Sequence, residues 1–232
     1  MAFCARCGDQ AALNSSVKFF APVVVGLSLL SACSSGPKLA DWQLEAKGSI
    51  DRSVTAFMEG NPRVEAAELA RARSQLSRTG RADLLANAEL LHCAARVASL
   101  VFQSCAGFES LRQDALAPQR AYANYLQGLA QPQDIALLPA QQRAAAAGDA
   151  AAVIAITEPL SQLVAAGVLL KTGKASPEVI VQAINTASAQ GWRRPLLAWL
   201  DVQVQRAEQS GSGEEAARLR RRILLTQGSE RN

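Results

Sequence analysis

Few side chains in this sequence have the type and spacing for chemistry. His92 is the only histidine and sits beside Cys93. Neighbours on a helix point about 100° apart and do not face each other, so these two cannot meet as base and nucleophile. A Cys–His enzyme would have to pair His92 with Cys105, and His92 reads instead as a partly buried structural residue. Cys93 and Cys105 stand 12 residues apart. An unbroken helix of that length rises about 18 Å, while bridged Cα atoms lie within about 7 Å. A disulfide therefore needs the helix to end near Ser99 or Leu100 and the chain to double back, which Gln103-Ser104 and Ala106-Gly107 allow. The alternative is two small buried thiols. Arg218, Arg220, Arg221 and Arg222 form the densest positive cluster, with Arg193 and Arg194 nearby in sequence. They read either as a solvated helix face or as a patch for anionic lipid headgroups or an acidic protein. Cys4-Ala5-Arg6-Cys7 has the spacing of half a zinc ribbon, and no second half follows. With no phosphate-binding glycine loop and no Ser/His/Asp set at a recognisable spacing, neither a metal nor a cofactor is expected.

The elements that must position these residues are helical. Of 232 residues, 49 % are apolar, 19 % charged and 5 % aromatic, and 45 are Ala. That composition supports a packed core and moves the fold towards all-α. A net charge of +4 is too mild to argue for nucleic acid. Asp41 to Glu59 places Ile50, Val54, Phe57 and Met58 on one helical stripe. Gly60 stops that helix, and Asn61-Pro62 restarts the chain as N-cap and first helical residue. The next helix turns Ala66, Leu69, Ala70 and Leu76 inward and leaves Arg71, Arg73 and Arg78 in water. Arg81 to Phe102 is apolar on most sides and reads as the central, most buried helix. Shorter helices fit 108–116 and 118–129, and a loop with two prolines fits 131–139. Further helices fit 140–147, 149–156 and the run restarted or kinked at Pro159. The last third carries three clearer ones, beginning at Ser176-Pro177, Pro195 and Glu214. Trp42, Trp192 and Trp199 lie at helix starts or on apolar stripes, where core packing explains them better than a sugar platform.

The first thirty-three residues have a different character. Phe19 to Ala32 is an uncharged run behind Lys18, the length of a signal-peptide core and too short for a membrane span of about 20 residues. It ends in Leu30-Ser31-Ala32-Cys33. This stretch resembles the lipobox of bacterial lipoproteins. The resemblance implies cleavage before Cys33, with diacylglycerol on its sulfur and an acyl chain on the new amino group. Ser34 follows, not the Asp that resembles an inner-membrane retention signal, which implies the outer membrane, periplasmic face. Residues 1–32 are then a signal peptide, 33–40 a lipidated tether and 41–232 a single helical domain. Asp9 is out of place in a basic signal start, and Val17 would make a more compact initiator, so 1–16 reads as an over-long start.

Leu196 to Leu225 resembles one tetratricopeptide-type hairpin, with Asp51 to Leu76 a looser match, but the 34-residue period is not sustained. The expected fold is all-α, built of antiparallel hairpins, as either a tetratricopeptide-like short solenoid or an irregular bundle. Glu109-Ser110 and Gly128-Leu129-Ala130-Gln131 faintly resemble two motifs of lytic transglycosylases, and Tyr122-Ala123-Asn124 a third, although their order is inverted and the Met of the second is missing. The resemblance implies Glu109 as a catalytic acid. A helix N-terminal residue explains it more simply. The reading that joins these observations is a non-enzymatic, outer-membrane-anchored protein-binding or assembly module with an envelope protein partner. The alternatives are a peptidoglycan-acting enzyme using Glu109, and a purely structural envelope lipoprotein.

Overall fold

The computed structural model describes residues 40–228, which form helices and turns without a strand. The expected signal segment and most of the expected tether, Cys33 and the Cys4/Cys7 pair included, lie outside the described residues.

The chain opens with an antiparallel hairpin, α1 (Asp41–Glu59) and α2 (Pro62–Ser77). Gly60 ends α1 at φ 85°, where a side chain would be strained, and the Asn61 side chain accepts the Val64 N–H. The residues between the two helices are short: Ala46, Ser49, Ser53 and Ala56 on α1 face Leu69, Ala72 and Leu76 on α2. Small side chains let the backbones approach, and the Ser53 hydroxyl donates across the gap to the Glu65 carbonyl at 3.0 Å. This corrects the stripe read from spacing. Phe57 and Met58 are buried, but Ile50 and Val54 are half-buried, and Ala66 and Ala70 are exposed.

Helix α3 (Ala82–Ala98) is central, packing against α1, α2, α4 (Ala106–Glu109), α5 (Ala117–Leu126) and α8 (Pro159–Lys171). Residues 108–116 do not make the continuous helix expected. After α4 the chain is held by i→i+3 bonds, Leu111 N–H to Phe108 and Asp114 N–H to Leu111, a tighter winding that lets Phe108 turn fully into the core. Residues 131–139 are likewise not an open loop: Pro132–Leu137 winds as a 3₁₀ turn, started by Asp134 accepting the Gln131 N–H. Beyond it lie α6 (Ala140–Ala146), α7 (Ala150–Ala155), α9 (Pro177–Ala189), α10 (Arg193–Gln209) and α11 (Gly213–Gly228). Glu158 caps α8 through the Leu160 and Ser161 N–H groups, so Pro159 restarts a helix there. Helix α10 begins two residues before Pro195.

The helices pack as an all-α bundle or solenoid, with contacts between elements far apart in sequence, α1 on α10 and α3 on α8, and with the α10–α11 hairpin included. Buried glutamines tie it together. Gln119 donates to the Asp83 carbonyl and to Asn87, both at 2.7 Å, and Gln142 links the Tyr125 hydroxyl (2.6 Å) to the Ser161 carbonyl (3.0 Å).

The tightest approach is between α3 and α8. A Cβ at Gly167 would lie 2.5 Å from the Val97 carbonyl oxygen, a backbone atom that no rotamer change can move. Gly167→Ala should therefore cost about 1–3 kcal/mol in urea unfolding. An unchanged midpoint would show that the two helices separate freely.

Candidate functional site

Leu84, Asn87, Ala88 and Leu91 share one face of α3 at i, i+3, i+4 and i+7 spacing. Trp42, Ala46 and Ile50 of α1 flank it on one side, with Leu76 at the end of α2, and together they enclose about 440 Å³. Past Asn87 and Leu91 the trough continues between Tyr122 of α5 and Leu137-Leu138-Pro139, enclosing about 460 Å³ more. The two halves share Asn87 and Leu91 and so adjoin along α3 as a two-part groove. Each half has the volume of a small-ligand site, and the groove as a whole suits an extended or helical segment.

The groove is built for contact more than for proton transfer. Trp42, Ile50, Leu84, Leu91 and Tyr122 are half-buried, and Leu137 is 41 % exposed. Tyr122 stacks on Tyr125 with ring centres 6.0 Å apart, and burial pushes its phenol well above the usual range, so it stays neutral. Charges stay at the rim, where Lys47 pairs with Asp51 at 2.5 Å and Arg143 donates to the Leu138 carbonyl at 3.0 Å. A larger depression of about 760 Å³ at the α10–α11 turn is an open saddle lined by Glu214, Glu215, Arg218 and Arg221, with no comparable apolar wall.

A second, smaller cavity of about 250 Å³ adjoins Cys93 and Cys105. The two sulfurs are joined, with Cα atoms 5.7 Å apart. Helix α3 has ended at Ala98 before this. The Leu100 N–H bonds the Val97 carbonyl and the Val101 N–H bonds the Arg96 carbonyl, the paired closure of a Schellman turn. Leu100 is held at φ 60° to make it, a conformation that costs a non-glycine residue roughly 1–2 kcal/mol. The last carbonyl, Ala98, accepts the Trp199 indole N–H at 3.0 Å.

The charges around this cavity are already matched. Arg73 grips Glu89 in a two-pronged contact at 2.5 and 2.7 Å, and His92 meets Glu65 at 2.8 Å with its ring edge towards Phe57. Arg96 lies over the Phe57 ring and donates to Gln103. Thus His92 is half-buried against Glu65 and Phe57, while Arg73, itself exposed, reaches in to neutralise a buried carboxylate. Gly107 is required opposite, because a Cβ there would overlap the Glu89 carboxylate. Glu89 was detectable in sequence as a lone acid inside an apolar helix, which implies a partner without naming it.

Glu109 is held by Arg112 through both oxygens, at 2.6 and 2.8 Å, and also accepts from Gln127. Arg112 keeps its carboxyl below the ordinary value. An acid that protonates a glycosidic oxygen needs the opposite shift. Tyr122 belongs to the groove, and Asn124 accepts from Arg112 at 3.3 Å.

The arginines fall in two places, at the start of α10 and along α11. Arg194 donates to the Phe57 carbonyl at 2.7 Å and covers that ring, closing the end of α1. On α11, Arg218 pairs with Glu215, and Arg220 with Glu208 of α10. Arg221 is exposed and Arg222 half-buried. Among the described residues no group of three or more His, Cys, Asp or Glu is placed to hold a metal ion, and no helix is long and apolar enough to cross a membrane. Cys33 lies outside the described residues. Comparison of the chain with protein-family models, curated proteins and solved structures finds no match.

Proposed function

We propose that this chain is an outer-membrane lipoprotein, anchored through Cys33 and facing the periplasm. Its helical domain holds an apolar segment of another envelope protein in the groove along α3. The observation that carries this reading is the groove itself. Its two halves are lined largely by apolar side chains and meet at Asn87 and Leu91, where the Asn87 side-chain oxygen accepts from Gln119. A largely apolar trough offers area and shape, which suits the apolar stripe of a partner helix or an extended peptide. The role is non-enzymatic. Glu109, the residue that a peptidoglycan-cleaving alternative would need, sits in an ion pair that favours its charged form.

The test uses a groove residue whose change spares the core. Leu137→Asp places a charge on an exposed position of the wall. It should lower the amount of partner co-purified from cells at least about tenfold, the loss of one well-placed apolar contact made worse by a desolvated charge. Leu44→Asp, on α1 outside the groove and 54 % exposed, should leave recovery unchanged. Equal recovery from both variants would remove the groove from the function.

A further inference from the structure

Helix α11 buries one side and leaves the other uncovered. Ala216 and Leu219 are buried, and Ile223 is half-buried one turn on, along the stripe that meets α10. Arg218, Arg221, Arg222 and Leu225 follow each other at i, i+3, i+4 and i+7 on the outer face, with Leu224 beside them. Leu225 is 78 % exposed and Leu224 62 %, the highest values among the exposed large hydrophobic residues described. Arg221 and Arg222 have no acidic partner among the described residues, whereas Arg218 and Arg220 do. Both acids of the helix, Glu214 and Glu215, sit in its first turn, so its last three turns carry only positive charge.

We infer that this outer face of α11 rests on an anionic phospholipid surface. The inference builds on the proposed lipid anchor, which would bring the domain to a bilayer, and names a second contact with it. Charge and apolarity point to the same occupant. Two exposed leucines one turn beyond arginines without acidic partners match an interface where apolar side chains enter the headgroup boundary and guanidinium groups meet phosphates. An acidic protein face would satisfy the arginines and leave both leucines in water. The contact orients the domain on the membrane, and the acyl chains hold it there.

The experiment uses the full lipidated protein in vesicles of phosphatidylcholine alone or mixed with phosphatidylglycerol. An environment-sensitive dye is attached at Leu225→Cys. The dye should shift to the blue only in the anionic vesicles, and raised salt should reverse the shift. Arg221→Glu combined with Arg222→Glu should abolish it with helical content unchanged. The same emission in both vesicle types, or a shift indifferent to charge reversal, would overturn the inference, as would a shift that needs an added envelope protein and not anionic lipid. Flotation with neutral vesicles reads the acyl anchor separately. If flotation holds while the dye stays unshifted, only the α11 contact fails. If flotation and the lipid mass on Cys33 are both lost, the anchor reading fails.

Discussion

Changing Cys33 to Ala should leave an unlipidated precursor that no longer fractionates with the outer membrane. Under the proposed reading the Cys33 thiol would accept diacylglycerol and cleavage would depend on that first modification, so one substitution should remove the lipid and retain the segment before Cys33 together. The effect is large because membrane attachment scales with buried acyl length, about 0.8 kcal/mol per methylene. One myristoyl-sized chain holds a protein only reversibly, whereas three hold it in effect permanently. Intact mass is the deciding readout. Wild-type protein should show a cleaved chain with added acyl mass, and the variant an unmodified chain of full length. Identical masses, both unmodified, would defeat the lipoprotein reading.

The second large effect concerns Cys105. Closing a loop of about 13 residues removes enough freedom from the unfolded chain to contribute about 3 kcal/mol. Cys105→Ser should lose about that much in denaturant unfolding. Reduction of the wild type should give a similar loss, and reducing the variant should add nothing. The bridge sits where the chain reverses through Leu100, so native-state hydrogen exchange should rise first at residues 99–107. A loss below about 1 kcal/mol, or free thiols counted in the untreated protein, would contradict a structural disulfide.

Much of the helical framework is written in local sequence. Asn61-Pro62, Glu158-Pro159 and Ser176-Pro177 start helices because a side-chain oxygen and a missing N–H solve the same end problem. The ends of α1 also follow from the sequence, Gly60 included. Sidedness was harder to read. Hydrophobic spacing favours Ile50 and Val54, yet α1 buries Ala46, Ser49, Ser53 and Ala56, because helices meet closest where side chains are smallest. The reversal after α3 uses Leu100, a residue whose type gives no hint of a left-handed turn. Tertiary contacts over-determine it, through the Trp199 bond to Ala98 and the Cys93–Cys105 link.

The candidate site was less legible than the frame. Its central stripe on α3 is a helical pattern, but the sequence does not say that this stripe stays partly uncovered. Tyr122, Leu137 and Pro139 join it only because α5 packs on α3 and the 3₁₀ turn packs in turn on α5. Arg73 stays exposed, as its charge suggested, but only the approach of α2 to α3 brings it onto Glu89.

The most direct measurement places a photo-activatable cross-linker at Leu84, in the α1-side half of the groove, of the full-length protein in living cells. Position 44, on the exposed side of α1, serves as the control. Mass spectrometry then identifies what is joined to each position. A single dominant envelope protein cross-linked at 84 and absent at 44 is the result the adaptor reading predicts. The same scattered products at both positions, or peptidoglycan and lipid alone at 84, would contradict it.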